Sequence, residues 1–242
     1  TAPGPSERLD STDHPETRVF DPKKLLNDFL GVGGGSPGRG SDIGKYATGA
    51  AVGGIAALLL GSKAVRGIGG AALGYGGAAV LGGLAYKAWQ DWQAGKAVPP
   101  APVAVGTEPP ALPPPGSRFD LSAHSAGDGH DSHLAIVRAM IAAAKADGHI
   151  DAAEQKALFE RIGKLGLDAE EKAFVMDELG KPLDIAEIAA LAASPEQAAE
   201  IWLASRIAIT ADDARERAYL DDLARRMSLP PDLVAQLERQ AA

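Results

Sequence analysis

Cysteine is absent from this chain of 242 residues. Its absence excludes disulfide bonds, thiolate nucleophiles and zinc sites built on cysteine. Aromatic side chains are scarce, at 5% of residues, and the formal net charge is −8. All of this charge lies in residues 130–242, which hold 21 acidic and 13 basic side chains. An acidic, aromatic-poor surface does not suit a phosphate backbone, so we expect no nucleic-acid partner.

Strand patterns are missing as well, because no alternating run of four or more β-branched residues occurs. From residue 130 onward the apolar residues instead recur with a period of 3.6, as in Leu134, Val137, Ile141 and Ala144. This pattern predicts an all-α domain of about seven helices over residues 130–242. Residues typical of N-caps, three of them with a matching Glu, precede the predicted helices: Asp151 with Glu154, Asp168 with Glu171, Asp184 with Glu187, and Ser194.

Acidic residues are absent from Tyr46 to Tyr86, where only Lys63 and Arg66 are charged. The two uncharged runs contain 17 and 20 residues. At about 1.5 Å per residue in a helix, such runs approach the ~30 Å hydrocarbon thickness of a bilayer. Small residues recur at every fourth position, as where helices pack closely in lipid: Gly49, Gly53, Ala57, Gly61, Gly70, Gly74, Ala78 and Gly82.

The sequence therefore predicts a glycine-zipper membrane hairpin over residues 46–93, with Trp89 and Trp92 at headgroup level. One span followed by an interfacial segment is an alternative. A flexible linker and a helical hairpin buried inside a globular core are two further interpretations. We disfavour the linker because the stretch is too apolar, and the buried hairpin because we find no apolar partner layer for it elsewhere in the chain.

The other segments have distinct compositions. Residues 1–20 are polar and proline-bearing, which is typical of disorder. Asp21 and Pro22 predict the start of a short amphipathic helix, and residues 21–45 end in a glycine-rich loop. Residues 94–129 are rich in proline and predict a flexible linker. We therefore expect the hairpin and the helical domain to pack separately.

An acidic turn is the best candidate for chemistry in the helical domain. Asp147, Asp151 and Glu154 flank Gly148 at a predicted turn between helices. Carboxylates gathered on a tight turn are suitable ligands for a divalent cation such as Ca²⁺ or Mg²⁺. A purely structural role is the alternative, in which Asp151 caps a helix and Glu154 completes the capping box.

A sequence repeat at an offset of 62 residues suggests a second acidic turn. The offset aligns Asp151 with Asp213 and Glu154 with Glu216. We therefore include Asp212, Asp213 and Glu216 among the candidate metal ligands. The second copy lacks an equivalent of Asp147, since Ile209 stands there, and chance similarity between Ala- and Leu-rich helices is the competing explanation.

Histidine and aspartate also cluster before the first helix of this domain. Together they could bind a transition metal, but the Gly- and Ser-rich setting favours a polar lead-in capped by Asp131 or Ser132. No residue is predicted to be catalytic, because no strand–turn–helix setting for a nucleophile occurs. The cluster comprises His124, Asp128, His130, Asp131 and His133.

The run from Gly74 to Gln93, GYGGAAVLGGLAYKAWQDWQ, resembles the signature of the DUF533 family of bacterial inner-membrane proteins. The segment from Asp147 to Glu154 is similar to the TerB-like domain of tellurite-resistance proteins. These resemblances imply a TerB-like helical fold, attachment to the inner membrane, and no established catalytic activity. The basic residues that flank the hairpin separately predict that both of its ends, and hence the helical domain, lie in the cytoplasm. They also imply that acidic turns bind metal, which corresponds here to Asp147, Asp151 and Glu154.

Two functional hypotheses follow. In the first, the protein is a membrane-anchored, non-enzymatic adaptor or sensor in bacterial envelope stress. Its partners would be the membrane, another protein or a second copy bound through small-residue helix faces, and a divalent cation is the only cofactor considered. In the second, the carboxylates of the turn from Asp147 to Glu154 serve a metal-assisted hydrolase. We favour the adaptor, because it requires only an exposed surface.

Overall fold

The computed structural model describes residues 20–30, 77–97, 112–121, 131–146, 148, 162, 167–209 and 213–241. Within these residues the protein is all-α and contains no strand, as the sequence predicted. Six helices follow residue 130 in the described parts, which is consistent with the predicted domain of about seven. The described helices are α1 (Pro22–Phe29), α2 (Gly77–Gln93), α3 (Ser132–Ala144), α4 (Ala169–Gly180), α5 (Ile185–Ala190), α6 (Pro195–Ala208), α7 (Ala214–Arg226) and α8 (Pro231–Ala241).

Side-chain caps start most of these helices at the predicted residues. Asp21 accepts hydrogen bonds from the first-turn amides of α1, and Asp184 does the same for α5. Asp168 and Glu171 form a complete capping box at α4, with N–O distances of 2.8 and 2.9 Å. Ser194 caps α6, whose first residue is a proline. Each cap satisfies amides that would otherwise lack a partner.

Helices α3 and α6 lie at the centre of the fold and pack extensively against each other. Helix α3 also contacts α1, α4, α5 and α7, while α6 contacts α2, α7 and α8. The most buried residues of α3 are Ile136, Val137, Ala139 and Met140. The predicted apolar face of α3 is therefore narrower than the surface that the helix buries, since a helix surrounded by neighbours is apolar on most sides.

Helix α2 belongs to the same core, which corrects the predicted separate hairpin for this part of the chain. It packs between α6 and α8 and buries Val80, Leu81 and Leu84. These two helices are the apolar partner layer that we did not find in the sequence. Small residues permit close helix packing inside a protein as well as in lipid, so their spacing alone did not distinguish the two settings.

Residues 77–86 would have formed half of the second predicted membrane span. In the described parts of the chain, no helix is both long and apolar enough to cross a bilayer. Helix α2 has 17 residues and ends at Gln93, and Gly95 just beyond it takes a left-handed conformation with a φ of 62°. The Lys96 amide then bonds to the Asp91 carbonyl, completing a Schellman motif.

Helix α1 packs against α3 and α2 with an apolar face. Leu25, Leu26 and Phe29 are fully buried, and burial of each such side chain contributes roughly 1.5–3 kcal/mol. Lys24 extends across to α4, where its ammonium lies 2.7 and 2.9 Å from the two carboxyl oxygens of the buried Glu171. The short amphipathic helix predicted from the sequence is thus an integral part of the core.

Residues 112–121, which we call the strap, are the described portion of the predicted flexible linker. The strap folds as a tight turn, in which Gly116 has a φ of 74° and its amide donates to the Asp120 carboxylate. Phe119 and Leu121 are buried in the main core. This portion of the linker therefore packs against the helices instead of separating them.

Candidate functional site

A buried carboxylate joins the end of α2 to α8. Asp91 is 3% exposed and lies 3.1 Å from Lys87 Nζ, 2.7 Å from Lys96 Nζ and 2.6 Å from Arg239 Nη2. The Schellman motif brings Lys96 back over the end of α2. The Lys96 carbonyl also accepts a hydrogen bond of 2.7 Å from Gln236 Nε2. Arg239 and Gln236 thus fasten α8 to the end of α2, while Lys87 and Lys96 pair with Asp91 from the α2 side.

Electrostatics make this carboxylate strongly acidic. Burial by itself would raise the pKa of Asp91, but the hydrogen bonds and charges of Lys96 and Lys87 outweigh burial and lower the pKa from 3.8 to about 2. Asp91 is therefore ionised throughout the physiological range. Its chemistry suits a structural link, in which Lys87 is one of its partners.

Aromatic side chains form a face along α2 beside the strap. The Trp89 ring lies 5.1 Å from Trp92 and 5.7 Å from Phe119, and Tyr86 lies 5.7 Å from Phe119. We call Tyr86, Trp89 and Trp92 the aromatic face. All three side chains are partly buried and pack against the core cluster. Phe119 of the strap covers the middle of this face.

A second buried carboxyl group lies behind the strap. Glu200 of α6 is fully buried, and neither of its carboxyl oxygens has a hydrogen-bond partner among the described residues. It faces α2 at Gly82, where a Cβ would lie 3.7 Å from Glu200 Oε1 and 2.4 Å from the Phe119 carbonyl oxygen. Burial, followed by the charge of Glu196, raises the pKa of Glu200 well above 4.5.

Sequence reasoning missed Glu200, although a signal was present. It stands among Ala198, Ala199, Ile201 and Leu203, all of which are buried. A helix that is apolar on nearly every side is surrounded by protein, so an acid in its middle is buried too. Such an acid is kept neutral by its surroundings or binds a partner.

The described residues on either side of positions 31–76 lie next to each other. Gly77, at the start of α2, lies against Leu30, because a Cβ on Gly77 would be 2.4 Å from Leu30 Cβ. The Ala78 amide also donates a hydrogen bond of 3.3 Å to Asn27 of α1. The ends of segment 31–76 are therefore in contact with each other.

The predicted acidic turns lie only partly within the described residues. Asp213 caps α7 by accepting a hydrogen bond of 2.6 Å from the Arg215 amide, and Glu216 lies in the first turn. A Cβ on Gly148 would be 3.7 Å from Arg215 Nη1, so the two turns come close together. In the parts of the chain that the structure covers, no three acidic or histidine side chains form a metal-binding group. Asp147, Asp151, Glu154 and Asp212 are outside the described residues, and their role stays a prediction.

The histidine cluster is represented by its last two members. Asp131 caps α3 and bonds to His133 Nδ1 at 3.1 Å. The other ring nitrogen of the buried His133 lies 2.7 Å from the Leu121 carbonyl. His133 therefore connects α3 to the end of the strap, in agreement with the structural interpretation. His124, Asp128 and His130 lie outside the described residues.

These features define an all-α protein in which a glycine-rich helix is packed within the core. The chain matches the family described as "Protein of unknown function (DUF533)" over residues 45–241, and it belongs to that family. It is also similar to a protein of Yersinia enterocolitica described as "Uncharacterized protein in ampR 5'region". The two are 28% identical over 104 residues, which cover 43% of this chain and 75% of the relative. No significant match to a solved structure was found.

Proposed function

We propose that this protein is a non-enzymatic adaptor attached to the bacterial inner membrane by segment 31–76. The observation that carries this proposal is the contact between Leu30 and Gly77, the two residues that bound the segment. A segment of 46 residues that starts and ends at one point on the core can extend away from it without disturbing the helices. Its apolar part, residues 46–76, contains only two charged side chains.

The length of the segment favours attachment to one side of the membrane. Residues 46–62 form an uncharged run of 17, whereas only ten uncharged residues, 67–76, precede α2. Ten helical residues extend about 15 Å, half of the ~30 Å needed for a second crossing. We therefore propose that the segment lies in the interface of the cytoplasmic leaflet, where Lys63 and Arg66 can reach phosphate groups.

The helical core would then present its acidic surface to a partner protein in envelope stress. We assign it the TerB-like fold on the resemblance of the segment from Asp147 to Glu154. A Ca²⁺ or Mg²⁺ ion at that turn is part of the proposal. The closeness of Gly148 and Arg215 supports a common site for both acidic turns, although the guanidinium there opposes cation binding by its charge.

Replacing segment 31–76 by a short Gly/Ser linker tests the attachment. Because Leu30 and Gly77 are in contact, about six flexible residues suffice to join them. We expect the full chain to sediment with membranes and to resist extraction by high salt. The shortened protein should remain in the supernatant with the same helical circular dichroism. Membrane sedimentation of the shortened protein would refute attachment by this segment.

Single cysteines test the topology, since the natural chain contains none. Ser62→Cys lies in the segment, and Ser11→Cys provides a control near the N-terminus. With a membrane-impermeant maleimide, both should react only in inside-out vesicles if the segment stays on the cytoplasmic side. Reaction of Ser62→Cys from the opposite side alone would instead establish a crossing.

A further inference from the structure

Glu200 combines complete burial with two carboxyl oxygens that lack partners within the described structure. An ionised carboxylate in this position would be strongly destabilising, whereas a protonated one is tolerated. The group lies at the junction of α6, α2 and the strap, as its 3.7 Å distance to the Cβ position of Gly82 shows. Its protonation state therefore depends on the elements that keep water away from this junction.

The strap is the smallest element that covers this junction. Its Phe119 carbonyl sits directly on Gly82, where only a glycine leaves room for it. Arg118 lies 3.3 Å from Glu196, one turn before Glu200 on α6. At its far end, the Leu121 carbonyl is bonded to His133 of α3. A few contacts thus hold a ten-residue turn over a buried acid.

We propose that the strap is a pH-sensitive cover, which stays seated while Glu200 is protonated and is released when Glu200 ionises. Release would withdraw Phe119 from Tyr86 and Trp89 and uncover the aromatic face of α2. The inference goes beyond the proposed adaptor role and does not depend on membrane attachment.

The direction of the response follows from linkage. Burial is the main cause that raises the pKa of Glu200 in the seated state, and Glu196 adds to it. In the released state the carboxyl group is hydrated and ionises near its ordinary pKa of 4.5. At pH values between the pKa of the released state and that of the seated state, each increase of one pH unit favours release by about tenfold. Acid therefore keeps the strap seated, and rising pH releases it.

The other charged groups on the surrounding elements do not supply this response. Asp91 on α2 is ionised above pH 4, because its pKa is lowered to about 2. Burial raises the pKa of Tyr219 on α7 to about 12 despite the nearby Ser205 hydroxyl, so Tyr219 stays neutral. His133 of α3 is bonded to the Leu121 carbonyl at the end of the strap, and the Glu200→Gln variant leaves this bond in place. Several other charged groups near the strap and α6 pair with each other or with the backbone: Arg118 with Glu196, Lys87 with Asp91, Arg206 with Glu238, and Asp120 with the Gly116 amide.

Limited proteolysis of the full chain measures release, since trypsin cleaves after Arg118, whose side chain is 70% exposed at the edge of the strap. When seating is fast, the cleavage rate reports the population of released strap even when it is small. The rate for the natural protein is divided by that for Glu200→Gln at each pH from 5 to 9. This ratio cancels the pH dependence of trypsin itself.

We expect the ratio to rise by up to tenfold per pH unit, because Glu200→Gln cannot ionise. Glu196→Gln, on the same helix and facing the same strap, should loosen the strap but keep the pH dependence. A ratio that does not change with pH would overturn the proposal, and so would loss of the pH dependence in Glu196→Gln.

A steric variant tests the cover independently of ionisation. Gly82→Ala places a Cβ 2.4 Å from the Phe119 carbonyl, so the strap should be released at every pH. Cleavage after Arg118 should be rapid even at pH 5, with a red shift of tryptophan emission and unchanged helix content. Gly180→Ala is the control, because nothing lies within 4 Å of its Cβ position. Cleavage of Gly82→Ala at the natural rate at pH 5 would show that the strap does not cover the junction.

Discussion

The link between α2 and α8 can be tested by removing one charge. Asp91→Asn keeps the shape of the side chain but leaves Lys87, Lys96 and Arg239 without their common carboxylate. The natural carboxylate has its pKa lowered from 3.8 to about 2, which corresponds to about 2.5 kcal/mol of folding stability. Because Lys87 and Lys96 remain hydrated, we expect a loss of about 2–3 kcal/mol at pH 7, below the 3–5 kcal/mol typical of a fully buried pair.

The pH dependence of this loss is the stricter test. The contribution of Asp91 is fully present above its unfolded pKa and is lost as pH falls toward the folded value of about 2. At pH 3 about half of it should remain, so the difference between the natural protein and Asp91→Asn should shrink by about 1 kcal/mol.

Urea denaturation followed by circular dichroism at several pH values between 3 and 7 measures both quantities. Glu238→Gln is a matched control, because it breaks an ion pair of 2.7 Å with Arg206 in which the carboxylate is 46% exposed. We expect that variant to cost less than about 1 kcal/mol. If Asp91→Asn costs no more than this control, or costs the same at pH 3 as at pH 7, the assignment of Asp91 as a buried link is refuted.

Three further predictions concern the helix starts and the acidic turn. Asp168→Ala should lower the unfolding free energy by about 0.5–2 kcal/mol, since it removes the α4 capping box; an unchanged urea midpoint would contradict this. Lys24→Met should lower the unfolding free energy by about 1–3 kcal/mol, because the buried Glu171 loses its ammonium partner, and amide hydrogen exchange should increase in α1. Unchanged exchange would show that the Lys24–Glu171 pair does not hold α1 in place. Ca²⁺ or Mg²⁺ should raise the melting temperature with concentration, and Asp147→Ala should abolish the effect; if neither ion shifts the melt, the turn is structural.

Local features of the fold could be predicted because they depend on neighbouring residues. Asp21 with Pro22, Asp168 with Glu171, and Ser194 with Pro195 start α1, α4 and α6 as expected. A cap requires only a side chain that accepts a hydrogen bond from a backbone amide two or three residues later. The sequence therefore contains the whole interaction.

The position of α2 could not be predicted in the same way. Lipid and a protein core both accept an apolar helix of small residues, so the sequence around Val80, Leu81 and Leu84 fits either environment. The difference lies in α6 and α8, more than a hundred residues away, whose apolar surfaces match that of α2. Asp91 was a usable signal, since a carboxylate four residues after Lys87 indicates a partner within the protein.

The candidate site likewise contains one feature that the local sequence indicates and one that depends on distant segments. Asp213, which the repeat aligned with the predicted cap Asp151, caps α7. Glu200 was not singled out, because its environment comes from Gly82 and Phe119, which precede it by 118 and 81 positions. Burial of an acid by distant segments can be inferred only from the apolar residues on every side of it.

The pairing of α2 with α8 also has a consequence for biosynthesis. The bonds between them join residues 140 and 148 positions apart in the chain. At about 5–20 residues per second, a ribosome needs roughly 7–30 s to synthesise that interval. During this time α2 has no α8 to pack against, and the apolar sequence of residues 46–76 directly precedes it. The nascent chain therefore presents an apolar sequence that runs from residue 46 into α2, and α2 completes its packing only after α8 has been synthesised.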